Sequence, residues 1–369
     1  MMTPSDTTTD EIEPTNDWVH DAVMGGTLLG GGGGGSPQEG LETGLLALEY
    51  GDPVIQPLGA FDDDDLIVTV SAVGAPAATD RRVKPADYVR AFELVRDRLH
   101  ADGDTVAGIM TNEMGGAATV NGMIQSAVTG VPLLDVACNG RAHPTGPMGS
   151  IGLGADHHTI QAGVGGDPAT DDHLEVVFTG ALSTAATTIR QAADDAGGLV
   201  AVARNPVSVA YAREHAATGV YDQAVELGRL LRTSEGRAAA EAVADHLEGS
   251  VQTVDTVEEV SLRTEGGFDV GAVSVGEYDL TFWNEWMTLD RGTDRLATFP
   301  DLIALLDATS GEPITTAAVE AGQLVAVVTA PADSIRLGAG MHDPDLFDPI
   351  ETVLEVSIID HVFPDAPGT

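Results

Sequence analysis

Six consecutive glycines, Gly30 to Gly35, lie between two stretches with helical spacing, and no other feature of the chain constrains its fold more. Before them, Trp18, Val19, Ala22, Val23 and Met24 recur at the three- and four-residue steps of one helix face. After them comes Ser36, a good N-cap, with Pro37 at the first helical position and Glu39 at the third, the pattern of a capping box. Glycines placed in this way are not a spacer between domains. They end at a helix N-terminus, where backbone N–H groups lack intrahelical partners and the helix dipole is positive. Without Cβ atoms the chain accepts positive φ, and a ligand can touch the main chain. The stretch has two readings. It is either a cradle for an anionic or carbonyl-rich group, built from Gly31, Gly32, Gly33, Gly34 and Ser36, or a tight turn without a ligand. Neither nucleotide fingerprint fits, since no Lys follows as in a P-loop and no strand clearly precedes as in a Rossmann turn.

The rest of the chain sets that loop in an α/β frame. A β-branched apolar run follows DDDD at 62–65, and TVAGIM (105–110) and VPLLDVAC (131–138) read as further buried strands. A helix from Pro85 to His100 carries Tyr88, Phe92, Val95 and Leu99 on one face. Alternating strand and helix predicts parallel βαβ units, with ligands beyond the carboxyl ends of the strands. Three loops belong there: Gly30–Pro37, Asn112–Gly116 and Asn139–Pro147. HLEVVFTG (173–180) and GLVAVAR (198–204) read as strands around a helix capped by Ser183, and helices run from Pro206 to about Leu247. Beyond Gly249, alternation and glycine turns predict mostly β structure. The expected organisation is an acidic disordered tail over 1–16, an α/β domain with the glycine loop over 17–168, and a C-terminal domain over 169–369, first α/β and then β-rich.

The charge narrows the partners. Asp plus Glu number 58 against 17 Lys plus Arg, a formal −41 over 369 residues, with Lys84 the single lysine. Such an excess argues against nucleic acid and against anionic membranes. It resembles proteins from cells with molar internal salt, where screening shortens to about 3 Å at 1 M and relieves self-repulsion. No apolar run is long enough to span a bilayer, and the N-terminus has neither signal- nor transit-peptide character, so the expected compartment is the cytoplasm. The partner expected is a small molecule, with a closed homo-oligomer as the base-rate assembly. One cysteine, Cys138, excludes an intrachain disulfide and a Cys-rich metal site. No cofactor is expected. His157 and His158 are adjacent, and since neighbours in a strand would point to opposite faces, they suit a hydrated surface better than one shared metal.

Several side chains invite chemistry. Glu113, beside Asn112, Gly115 and Gly116 where a strand gives way to a helix, is either a general base or a complement to the helix dipole. Asp135 is a carboxylate in an apolar strand with Arg141 six residues on, and the two either bind a planar amide-like ligand or form an internal ion pair. Cys138 ends the same strand and reads as a small core residue, a nucleophilic role requiring a His partner such as His143. In FWNEWMTL (282–289), alternation places Trp283, Glu285 and Met287 on one face and Asn284, Trp286 and Thr288 on the other. Asn284 and Glu285 either line a substrate site or sit satisfied in a core.

Taken in order, GGGGGGSP, NEMGGA, GVPLLDVACNGRAHP, TTIRQAADDAGGLVAVARNPVS, LRTEGGFDVGAVSVGEYDLTFWNEW and TFPDLIALLDATSGEPIT resemble the S-methyl-thiohydantoin desulfurase family over nearly the whole chain after residue 17. The resemblance implies an α/β N-terminal half, a β-rich C-terminal half and a hydrolase acting on a hydantoin-like ring, releasing methanethiol from its S-methyl thio derivative. It implies backbone donors from Gly31 to Gly34, an acid–base pair of Glu113 and Asp135, Arg141 as the residue that orients the ring, and Asn284 with Glu285 closing the site from the other domain. Ala118, Ala137 and Thr145 stand where the family pattern tends to carry Asn, Asp and Glu. The alternative is therefore a ligand-binding or regulatory homologue without catalysis.

Overall fold

Two eight-stranded sheets organise the chain in the computed structural model, which describes residues 11–74, 82–170, 172–265 and 268–364. The first sheet begins with helices α1 (Asn16–Leu29) and α2 (Pro37–Tyr50) leading into β1 (Ile55–Gln56) and β2 (Leu66–Gly74). Then come α3 (Pro85–Asp102), β3 (Val106–Glu113), α4 (Met123–Thr129) and β4 (Leu133–Asn139). β1, β4, β3 and β2 pair in parallel in that spatial order, as the alternation predicts. The sheet then turns antiparallel through β5 (His158–Gly165), β6 (Leu174–Ala181) and β7 (Leu199–Ser208), with β7 between β2 and β5. Helix α5 (Leu182–Asp195) joins β6 to β7, and α6 (Val209–His215), the short β8 (Ala217–Thr218), α7 (Val220–Thr233) and α8 (Gly236–His246) follow.

The second sheet is antiparallel throughout. It runs from β9 (Ser250–Glu265) through β10 (Phe268–Val275), β11 (Tyr278–Trp283), β12 (Glu285–Arg291) and β13 (Asp294–Thr298) to β14 (Leu302–Asp307), β15 (Pro313–Ile314) and β16 (Leu324–Ala330). Sixteen-residue β9 pairs with β10 at one end and β16 at the other, so one strand stitches both wings together. A division at residue 168 falls between β5 and β6, inside the first sheet; the change of sheet comes at residue 250.

Several local expectations change. β5 was not expected as a strand; its partners β6 and β7 define it. Ser36 stands at the N-cap of α2 with Pro37 next, but its side chain accepts no N–H from the first turn, so the capping box does not form. α5 starts at Leu182 with Ala181 at its N-cap, which places Ser183 inside the first turn. Of the expected tail, residues 1–10 lie outside the described residues. The next stretch is tied down, since Ile12 and Ile55 exchange backbone hydrogen bonds and Thr15 caps α1. Among the described residues no helix is long and apolar enough to cross a membrane.

Small residues let α1 approach α7. A Cβ on Gly25 would run into the backbone of Ala224, and one on Gly228 into that of Asp21. Buried Asp21 is met from α7 by the guanidinium of Arg232, at 2.7 and 2.8 Å. This packing fixes the end of α1, and therefore the start of the polyglycine loop, against the first sheet.

Candidate functional site

The glycine loop runs between the two sheets and is held by both. Gly31 and Gly32 supply carbonyls to the second sheet's side: Gly31 O accepts from Trp286 N at 2.8 Å, and Gly32 O from Thr316 N at 3.0 Å. Gly34 O accepts from Ala117 N and Ala118 N of the first, both at 3.0 Å. Gly31, Gly32, Gly34 and Gly35 all have positive φ, between 56° and 96°, which explains why glycine fills the run. Gly34 also lies against Gly115, and Gly35 against Gly116, so closely that a Cβ on either member of the first pair would strike the other's backbone. Gly115 and Gly116 therefore serve as packing surfaces for the loop and do not line the cavity above it. The N–H groups of Gly32, Gly34 and Gly35 donate to no acceptor among the described residues.

That cavity measures about 560 Å³, a size suited to a small organic ligand. Gly32, Gly33, Gly34, Gly35 and Ser36 form one wall. Asn112 and Glu113 come from the tip of β3, and His143 to Pro147 from the loop after β4. Gln161 and Arg204 reach it from the antiparallel half of the first sheet, and Asn284 and Glu285 from the second. All three loops expected beyond the strand ends thus meet in one place.

Glu113 has an asymmetric carboxylate. Its Oε2 is 2.9 Å from His143 Nδ1 and also lies within reach of Asn112 Nδ2, at 3.3 Å. Amide nitrogens face both ring nitrogens of His143, Asn112 Nδ2 at 3.4 Å from Nε2 and Asn139 Nδ2 at 3.3 Å from Nδ1, and the closest contact of the ring is Nδ1 with Glu113 Oε2. Oε1 of Glu113 has no hydrogen-bond partner among the described residues. From the sequence, His143 is only a possible partner of Cys138; its place in the 139–147 loop is the signal that points to its actual role beside Glu113.

Glu285 faces the glycines. Its carboxyl occupies the space that a Cβ on Gly33 would need, and Oε2 is buried without a partner. Burial raises this carboxyl well above the usual range, the charge of Glu113 adds to the rise, and Arg141 opposes it. Glu285 reaches the cavity because Asn284 takes a left-handed φ of 57° between β11 and β12. The expected faces hold across that kink, since Trp283 pairs directly with Glu285 and Phe282 with Trp286; the register shifts only beyond them, where Thr281 pairs with Thr288. Asn284 itself lines the cavity while its Oδ1 accepts from Asp269 N at 2.9 Å.

Two expected site residues are elsewhere. Asp135 lies mid-strand in β4, and its Oδ1 accepts the N–H of Tyr221 at 2.7 Å, at the positive end of α7. It caps a helix and does not line the cavity. Ala137, two residues on, lies on the same face in the apolar core. Arg141 is fully buried beneath the glycine loop. Nη1 donates to the carbonyls of Pro300 and Asp301, at 2.9 and 2.6 Å, and the guanidinium lies 4.4 Å from the Phe299 ring centroid. Burial lowers it to about 10, so it keeps its charge at neutral pH. It braces the loop from behind and does not reach a ligand. Gly31 lies against this brace, outside the cavity lining.

Cys138 is buried against Thr69, with burial pushing its thiol up to about 11, and His143 is turned toward Glu113 instead. Among the described residues no group of three His, Cys, Asp or Glu is arranged to hold a metal ion.

Comparison with known proteins agrees with this architecture. The model of the S-Me-THD-like N-terminal domain matches residues 17–167, and that of the S-Me-THD-like C-terminal domain residues 182–339. A crystal structure of a protein from Chromobacterium violaceum, determined by the Northeast Structural Genomics Consortium, superposes with a TM-score of 0.74 at 19% identity. The match covers 94% of this chain and 97% of that one, and it carries the fold alone. No curated protein matches the chain.

Proposed function

The chain belongs to the S-Me-THD-like family, and on that premise we propose that it hydrolyses a five-membered cyclic amide or thioamide of the S-methyl-thiohydantoin type. Water adds to the ring carbon that bears the S-methyl group, forming a C–O bond. The C–S bond then breaks. One proton of the water leaves on sulfur as methanethiol and the other ends on ring nitrogen, so the ring becomes a hydantoin. This chemistry needs a base for water, an acid for the leaving group and donors for the developing charge. Glu113 suits the first role through its free Oε1, Glu285, whose proton burial favours, the second, and the N–H groups of Gly32, Gly34 and Gly35 the third.

The observation that carries this reading is the division of labour within the Glu113 carboxylate: one oxygen is fixed by His143 and Asn112, and the other is left for water. Ala118 and Thr145 favour a second reading, a homologue that binds the ring without turning it over. Both line the cavity, and neither carries the Asn or Glu of the family pattern. Incubating the purified protein at high salt with S-methyl-thiohydantoins, and following free thiol, separates the two. Turnover that falls by roughly 10²–10⁴ in Glu113→Gln supports hydrolysis with Glu113 as base. Unchanged rates remove Glu113 from the mechanism. No thiol release from any ring, together with a raised melting temperature in hydantoin, supports the binding homologue.

A further inference from the structure

Gln161 on β5 and Arg204 on β7 are direct cross-strand partners, so their side chains leave the same sheet face as neighbours. They are 2% and 8% exposed, and both line the cavity. Each holds one buried polar atom without a partner: the acceptor Oε1 of Gln161 and the donor Nε of Arg204. Buried polar groups in native folds are paired, and the exceptions mark ligand sites or strain.

The far end of each side chain fixes its orientation. Gln161 Nε2 donates to Asn205 Oδ1 at 3.0 Å, and the same oxygen accepts the Thr159 hydroxyl at 3.1 Å, so the Gln161 amide cannot turn over without losing its bond. Arg204 Nη2 donates to Asn112 Oδ1 at 2.7 Å, and Asn112 in turn contacts Glu113 and His143. A fixed acceptor thus stands beside a fixed donor, one residue removed from the Glu113 carboxylate. A carboxylate or phosphate oxygen would suit Arg204 but meet the lone pairs of Gln161 Oε1. An ammonium would suit Gln161 and be repelled by the guanidinium. An amide N–H next to its own carbonyl satisfies both.

We propose that Gln161 and Arg204 read the lactam edge of the ring, Gln161 Oε1 accepting from the ring N–H and Arg204 Nε donating to the adjacent ring carbonyl. The ring as ligand rests on the hydrolase reading above; the edge recognised rests on this pair alone. Holding the proton on the nitrogen next to the carbonyl selects one tautomer of an S-methylated ring, with the C=N bond on the far nitrogen. The pair thereby positions the ring, and the chain Arg204–Asn112–Glu113 couples that position to the base.

The test uses calorimetric binding of hydantoin and of its N,N′-dimethyl derivative, which keeps the carbonyls and lacks both N–H groups. Wild-type protein should prefer hydantoin by roughly a hundredfold or more. In Gln161→Met that preference should shrink to within about twofold through weaker hydantoin binding, which a purely steric rejection of the methyl groups would not produce. Equal binding by the wild type, or an unchanged preference in Gln161→Met, overturns the pair and leaves ring binding standing. Binding of neither compound overturns both. If Gln161→Met fails to fold, wild-type pyrrolidone against N-methylpyrrolidone decides instead, and absence of a preference overturns the proposal.

Discussion

Two buried guanidinium groups, Arg141 against Gly31 and Arg204 in the cavity lining, do different work. Arg141 gives Nη1 to the carbonyls of Pro300 and Asp301 and Nε to that of Ala142, stacks on Phe299, and leaves only Nη2, against Gly31, without a partner. Arg204 lines the cavity, makes one hydrogen bond, to Asn112, and keeps a buried Nε without a partner. The carboxylates divide in the same way. Asp135 in mid-strand is consumed by the backbone of α7, while Glu113 at the strand tip keeps one oxygen free. Position in the strand, not residue type, separates the two carboxylates; the arginines do not follow that rule, since Arg141 lies beyond the end of β4 and Arg204 in the middle of β7. A side chain in the middle of a covered strand meets the layer packed on it, and one at a carboxyl end meets the crevice.

The largest effect that could break this contrast is on stability. Arg141→Met should destabilise the fold by about 3 kcal/mol or more, because it strands two buried carbonyls and an interdomain brace. Urea titration at constant salt measures this. Ring binding surviving in whatever fraction stays folded would keep Arg141 on the structural side. A fully stable variant that no longer binds hydantoin would move it into the site.

The same positional rule explains what could be read from the chain beforehand. β2, β3 and β4 were legible because their runs are apolar and β-branched, and α1 and α3 because their spacing is helical. The loops at the strand tips were legible as a consequence, and with them Asn112, Glu113 and the glycines. β5 was not legible. HTIQAGVG carries two glycines and a glutamine, and only pairing with β6 and β7 makes it a strand. Gln161 was lost with it. Arg204 was hidden at the end of an apolar run, and Asp135 misled because a lone carboxylate in such a run signals either a site or a cap, and only the packed helix distinguishes them. The sharp turn at Asn284 depends on one left-handed residue, which alternation cannot foresee.

A smaller effect sharpens the acid side. Burial raises the Glu285 carboxyl well above 4.5 in the folded protein, so the folded state binds its proton more tightly than the unfolded state. Its favourable contribution is therefore complete below the unfolded value and is lost as pH climbs through the folded one. Relative to Glu285→Gln, which stays neutral, the wild type should lose stability as pH rises above about 4.5, by at most about 1.4 kcal/mol per pH unit. Parallel stability curves for the two proteins would show that Glu285 is ionised in the fold and cannot serve as the acid.

The smallest effect concerns Asp135. Its side chain does the work of a cap from a neighbouring strand, so Asp135→Ala should cost about 1–2 kcal/mol, the range for losing such a bond at a helix start. Turnover per folded molecule should stay unchanged, since the carboxylate faces Tyr221 N and not the cavity. Asp135→Asn, which keeps an oxygen for that N–H, should recover most of the stability. The two variants together separate cap from catalyst. A cap loses stability in the alanine variant and regains it in the asparagine one at constant kcat. An acid–base residue loses kcat in both, and that result would return Asp135 to the reacting ring despite its place in mid-strand.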